Sequence, residues 1–151
     1  MSAANQAHRL RMAADICVLH RLDGILQVLL IRRAKGPFKG CWALPGGRLE
    51  ADENLDQCAV RELREETGLR PESIRQVATF SDPGRDPRER TVSAVYVARV
   101  AESAAVRAGS DAKEAVWFTV SSLPDLAFDH KKILETCLST LSCASDLREN
   151  E

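Results

Sequence analysis

Nothing in these 151 residues marks the chain for a membrane, a disulfide scaffold or a polyanion. No window approaches the roughly 20 consecutive apolar residues of a membrane span. Residues 1–11 are polar and lack the apolar core of a signal peptide, so they read as a flexible lead-in. Lys and Arg number 21 against 22 Asp and Glu, a formal net charge of −1. No long-range field therefore favours nucleic acid or an anionic membrane surface. The cysteines are few and odd in number: Cys17, Cys41, Cys58, Cys137 and Cys143, with no C-x-x-C. That argues against a disulfide framework or a zinc site. Cys17, Cys58 and Cys137 sit in apolar patterns and are expected as small buried side chains; Cys41 receives no role. A reducing, cytoplasmic setting is the matching expectation. His8, His20 and His130 lie far apart with no nucleophile beside them, so each is expected to be structural. No repeat or low-complexity tract is present.

The periodic segments describe one domain over 12–142, followed by a frayed tail over 143–151. Met12, Ala14, Ile16 and Val18 alternate as in a half-buried strand. Asp23-Gly24 is a hairpin turn signal. Val28-Leu29-Leu30-Ile31 is continuous enough for a central strand. Further strands are expected over 74–80, 91–100 and 116–120, and an amphipathic helix over 129–141 with Ile133, Leu134, Cys137, Leu138 and Leu141 as its apolar stripe. The interleaving predicts an α/β fold with a mixed sheet.

The dense signal lies between Gly47 and Leu69. Gly47 is followed after five residues by Glu53, and after seven more by Arg61-Glu62-Leu63-Arg64-Glu65-Glu66-Thr67-Gly68-Leu69. Asn54 is a good N-cap with Gln57 as capping-box partner, and Gly68 suits a left-handed C-terminal position. The spacing predicts a helix from Leu55 to Thr67, with Leu63 and Val60 turned to a core. Residues three and four apart share a helical face, so Glu62, Glu65 and Glu66 project together.

Three carboxylates on one face repel one another. A solvated acidic face is one outcome; a divalent cation is the other, and hard oxygen donors favour Mg²⁺ or Mn²⁺. The preceding Leu44-Pro45-Gly46-Gly47-Arg48 favours the second, because paired glycines let backbone approach a ligand and adopt positive φ. The alternative for the loop is a tight turn without a ligand. Bound cations would invert the field of the cluster, neutralise a diphosphate and lower the pKa of a coordinated water. The chemistry that fits is attack of water on a phosphoric anhydride.

This segment matches without a gap the G-x5-E-x7-R-E-U-x-E-E-x-G-U signature of the Nudix hydrolases, where U is bulky and apolar. With residue frequencies near 5–7%, seven fixed identities agree by chance at one starting point about 10⁻⁸ of the time or less. The resemblance implies a Nudix α/β/α sandwich, helices covering both sheet faces, and cleavage of a nucleoside diphosphate linked to another group. It implies Glu62 and Glu66 as metal ligands, Glu65 as a further ligand or general base, and the Gly46 carbonyl as a metal contact. It also implies Glu53 as support for the metal cluster and Arg61 as the arginine that orients the carboxylates.

Outside the signature, Phe80-Ser81-Asp82-Pro83-Gly84-Arg85-Asp86-Pro87-Arg88 and Leu123-Pro124-Asp125-Leu126-Ala127-Phe128-Asp129-His130 resemble the ADP-ribose pyrophosphatases of this family. Arg85 and Arg88 offer forks for phosphate, and Asp86 an acceptor for ribose hydroxyls; the alternative is a polar turn. Arg32 and Arg33 end a strand just before the glycine loop, and either could reach a phosphate; Arg32 is the candidate. The loop before the strand of Trp117 resembles the place where related enzymes hold an extra carboxylate, ligand or base, with Glu114 first and Asp111 second; an ordinary polar loop is the alternative.

The expectation is a Mg²⁺-dependent pyrophosphatase that converts ADP-ribose to AMP and ribose 5-phosphate. The same cluster would serve a nucleoside triphosphate, a dinucleoside polyphosphate or reduced NAD. A non-catalytic nucleotide sensor is the third reading, weakened by the complete set of carboxylates and by only 13 residues after Leu138, too few for a winged helix. A nucleotide-type small molecule is the expected partner, and the resemblance suggests a homodimer.

Overall fold

The computed structural model describes residues 9–101, 106–109 and 112–143, with only the backbone of Lys113, Ser142 and Cys143. Seven strands and two helices follow in the order β1 (Arg11–Leu22), β2 (Ile25–Arg33), β3 (Trp42–Ala43), β4 (Gly46–Arg48), α1 (Leu55–Thr67), β5 (Ser73–Phe80), β6 (Thr91–Arg99), β7 (Ala112–Thr119) and α2 (His130–Cys143). The seven strands form one sheet along β3-β2-β1-β6-β5, with β4 paired to β1 and β7 to β2. Only β1 and β6 run parallel, so the sheet is mixed.

Side-chain alternation on β1 sorts the core into two layers. Ile16 and Val18 face the α1 side, where they share a cluster with Cys58, Ala59 and Leu63. Cys17 and Leu19 face the α2 side with Ile133, Leu134 and Cys137. The helices therefore cover opposite faces, as expected of an α/β sandwich. β1 itself differs from the expected half-buried strand: Ala13 through Leu19 are buried on both faces. The alternation seen in the sequence was only one of its two apolar stripes.

The hairpin joining β1 to β2 turns on Asp23 and Gly24 at φ 52° and 78°, the pair of positive values a tight two-residue turn needs. β2 lies between β1 and β7, which explains its unbroken apolar run. α1 begins at the N-cap Asn54 with both capping-box bonds formed and ends at Gly68, φ 74°. Its core side is Cys58, Ala59 and Leu63, while Val60 is only half-buried. The Tyr96 hydroxyl donates to Asp56 at 2.5 Å, tying β6 to the first turn of α1. Burying a leucine such as Leu63 fully contributes about 1.5–3 kcal/mol.

β1 and β2 pair only over their hairpin-side halves, 19–22 with 25–28. Beyond that they part, and β3 pairs with β2 while β4 pairs with β1. This split opens a cleft at the end of the sheet where α1, the 81–90 segment and the start of α2 converge.

Candidate active site

The cleft has a volume of about 410 Å³ and is lined by charge on two sides. One wall carries Glu62, Glu65, Glu66 and Arg61 from α1; the other carries Arg33, Arg85, Asp86 and Arg88, with Asp15 and His130 at its floor.

Glycines bring the first wall together. Gly46 and Gly47 lie in β4 without positive φ, contrary to the expectation for this loop. Their need for glycine is steric. A Cβ on Gly47 would collide with the Glu62 carboxylate, and one on Gly46 with the Ala14 carbonyl and the Asp15 side chain. The Gly46 N–H donates to Glu66 Oε1 at 3.0 Å. Glu66 is buried. Burial raises its pKa well above the ordinary carboxylate range, Glu62 and Asp15 push the same way, and only the Gly46 bond opposes them.

Arg61 organises the rest. Its Nε and Nη2 grip both oxygens of Glu53 at 2.8 and 2.7 Å, Nη1 reaches Glu62 at 2.8 Å and Glu65 at 3.2 Å, and Nη2 also donates to the Arg48 carbonyl at 3.0 Å. The Arg61 bonds hold the Glu53 carboxyl down to about 2. Glu53 also accepts from the Glu50 N–H at 2.9 Å, closing the turn before α1. Cys58 lies beneath, its thiol pushed up to about 12 by burial.

Among the described residues no three acidic, histidine or cysteine side chains converge on one point. Glu62 and Glu65 turn toward Arg61, and Glu66 toward Gly46. The donor set nevertheless suits a hard divalent ion. It is carboxylate oxygen throughout, and the charge of Glu66 is opposed by burial and by two neighbouring acids. Arg61 engages only one oxygen each of Glu62 and Glu65.

The opposite wall is locked by ion pairs. Arg85 is buried, forks onto Asp129 at 2.9 and 2.8 Å, and donates to Ser93 Oγ at 2.8 Å. Asp15 stands 4.0 Å from it. Asp86 is buried and accepts from the Arg88 backbone at 2.9 Å and from its guanidinium at 3.0 and 2.7 Å. Burial alone would raise the Asp86 pKa; the Arg88 bonds outweigh it and the net shift is down. Both residues line the cleft, yet their strongest bonds hold the loop rather than face outward. His130 Nδ1 accepts from the Leu44 N–H at 3.0 Å, and burial lowers its pKa. That bond ties the start of α2 to the segment between β3 and β4.

Two expected residues are placed elsewhere. Arg32 and Glu114 are direct cross-strand partners of β2 and β7 and pair at 3.2 Å, half-exposed and away from the cleft. Strand alternation puts Arg33 with Ile31 on the cleft side and Arg32 on the other face. Asp111 lies outside the described residues. The sequence reading passed over Asp15, Arg11 and Phe128, all of which line the cleft. Asp15 carried a visible signal, a charge inside the apolar run from Met12 to Val18.

The NUDIX domain profile matches residues 9–137. The chain belongs to the Nudix family. This Nudix chain is 46% identical over 118 residues to the ADP-ribose pyrophosphatase of Methanocaldococcus jannaschii, covering 76% of the chain and 69% of that protein. It is 37% identical over 135 residues to the ADPR responsive transcriptional repressor NtrR of Acinetobacter baylyi, covering 87% of the chain but only 54% of the repressor. The NUDIX domain of Shewanella oneidensis NrtR, solved with ADP ribose, superposes with a TM-score of 0.81 at 32% identity, covering 91% of each chain. The chain is thus a Nudix hydrolase similar to ADP-ribose pyrophosphatases, in a family that generally uses a divalent metal. No helix among the described residues is long and apolar enough to cross a membrane.

Proposed function

We infer that the chain hydrolyses the diphosphate of ADP-ribose to AMP and ribose 5-phosphate with Mg²⁺, Mn²⁺ serving in its place. The observation that carries this reading is the buried, charge-opposed Glu66 beside Glu62, facing a wall of guanidinium groups across one cleft. The likeness to an archaeal ADP-ribose pyrophosphatase and to a domain solved with ADP ribose supports the choice of substrate.

Glu62, Glu65 and Glu66 would hold the metal, which when bound supplies charge neutralisation of the diphosphate and a more acidic water. The other roles belong to the chain. Arg61 holds Glu62 and Glu65 side by side, where they would serve as ligands. Glu53 keeps Arg61 in place through its two-oxygen grip. Glu65, the most exposed of the three acids, is the proposed general base. Hydrolysis adds a hydroxyl to one phosphorus and a proton to the other phosphate as the bridging P–O bond breaks. Arg33 and Arg88 face the substrate phosphates, while Arg85 and Asp86 shape the wall that carries them. The Gly46 peptide positions Glu66 through its N–H, with its carbonyl the proposed additional ligand.

Purified protein with Mg²⁺ should release AMP from ADP-ribose and stop when the metal is chelated. A panel of nucleoside triphosphates, dinucleoside polyphosphates and NADH, ranked by kcat/KM, sinks the assignment if any of them outranks ADP-ribose. The repressor relative favours a second reading, a domain that binds ADP-ribose without cleaving it. Tight binding with no turnover in Mg²⁺ or Mn²⁺ selects that reading. A homodimer is proposed from family resemblance alone, and a monomeric mass by light scattering removes it. With a net charge of −1, no nucleic-acid partner is proposed. A cytoplasmic location fits the cysteine usage.

A further inference from the structure

Three non-glycine residues among those described have positive φ: Asp23 in the hairpin turn, Phe38 at 60° and Phe128 at 53°. Bulky side chains avoid this region, and such strain gathers where function requires it. The two phenylalanines lie 90 positions apart in sequence, yet their rings meet with centroids 4.7 Å apart, tilted by 59°. Phe128 lines the cleft. The Arg33 guanidinium lies over its ring at 4.8 Å and that of Arg88 at 5.5 Å. Phe38 packs on Phe128 from outside the lining and is 42% exposed. The loop that presents Phe38 is tightly closed. Arg33 N–H donates to the Cys41 carbonyl, Gly40 N–H to the Arg33 carbonyl and Cys41 N–H to the Phe38 carbonyl, while Arg33 Nε holds the Pro37 carbonyl. An aromatic ring in a backbone region that bulky residues avoid is thus held partly open to solvent beside Phe128, over which Arg33 and Arg88 lie.

We propose that Phe38, backed by Phe128, is the stacking platform for the purine of the nucleotide, placed so that the phosphates meet Arg33 and Arg88. The proposal rests on the nucleotide reading of the cleft and adds the part that recognises the base. Apart from Phe128 and the buried His130, the cleft lining contains no ring. Stacking on Phe38 is therefore the means by which this cleft tells a nucleotide from a bare sugar phosphate.

The test measures binding of AMP and of ribose 5-phosphate by calorimetry in Mg²⁺ buffer, so it does not depend on turnover. Phe38→Asn removes the ring and places a residue that tolerates the left-handed region, so the fold is retained. AMP affinity should fall about tenfold, as for loss of one base–aromatic stack, with ribose 5-phosphate unchanged. Phe38→Trp should bind AMP at least as tightly as the native protein. The proposal is overturned if Phe38→Asn binds AMP normally, if both ligands weaken equally, or if the native protein does not prefer AMP. A native protein that shows the preference but does not cleave ADP-ribose supports the platform and removes the hydrolase reading.

Discussion

Arg61 and Arg85 stand in opposite walls of the cleft and each neutralises a set of carboxylates, but they are assembled differently. Arg61 meets Glu53, Glu62 and Glu65, all within eight positions of it. Arg85 meets Asp129, 44 positions away, and Asp15, 70 positions away. The first set follows from helical periodicity and one turn; the second exists only once β1, β6 and α2 have come together. Two of the partners of Arg61, Glu62 and Glu65, are also proposed metal ligands. Those of Arg85 have no role in the proposed chemistry.

The largest expected effect probes the wall of the proposed metal ligands. Glu66→Gln should lower kcat for ADP-ribose on the order of 10²–10³-fold, as for loss of a group that stabilises transition-state charge. Thermal stability should hold or rise, because a buried charge opposed by two neighbours is gone. An AMP release rate within tenfold of native would remove Glu66 from the proposed metal site.

Next come the two arginines themselves. Arg85→Ala should destabilise the fold by about 3–5 kcal/mol, because it leaves largely buried acids unpaired, read from urea unfolding. Arg61→Ala should lower activity or metal affinity about 10–100-fold, the usual cost of losing a group that orients ligands, with a smaller loss of stability. Equal losses of stability from both variants would erase the distinction drawn here.

Acid should act on the two walls in sequence. Burial lowers the His130 pKa below 6.5, so its neutral form favours the fold; that contribution is whole above pH 6.5 and is lost as pH falls through the lower folded value. The Arg61 bonds lower Glu53 from 4.5 to about 2, so its contribution is whole above pH 4.5 and disappears as pH falls toward 2. Unfolding free energy measured against pH should bend first below 6.5 and again below 4.5. His130→Gln should remove only the first bend and Glu53→Gln only the second. A single bend lost in both variants would show that the walls do not respond separately.

The smallest effects lie outside the cleft. Asn54→Ala should cost about 1 kcal/mol through loss of the N-cap. Glu114→Gln should cost less than about 1 kcal/mol, the range of an exposed ion pair, with kcat unchanged. A large fall in kcat would return Glu114 to the chemistry and contradict its placement opposite Arg32.

Sequence spacing alone determined α1, its caps and its shared acidic face, because these depend on a 3.6-residue repeat and on groups a few positions apart. It also marked β2 as central, since a strand covered on both faces must be apolar throughout. It could not place Arg32 and Glu114, because which face of β2 borders the cleft, and that β7 pairs beside it, is set only by the assembled sheet. Nor could it show that Asp86 and Arg85 are occupied by Arg88 and Asp129, or that Phe38 and Phe128 touch. Those contacts join segments distant along the chain, and only the assembled sheet with its two covering helices fixes their separation.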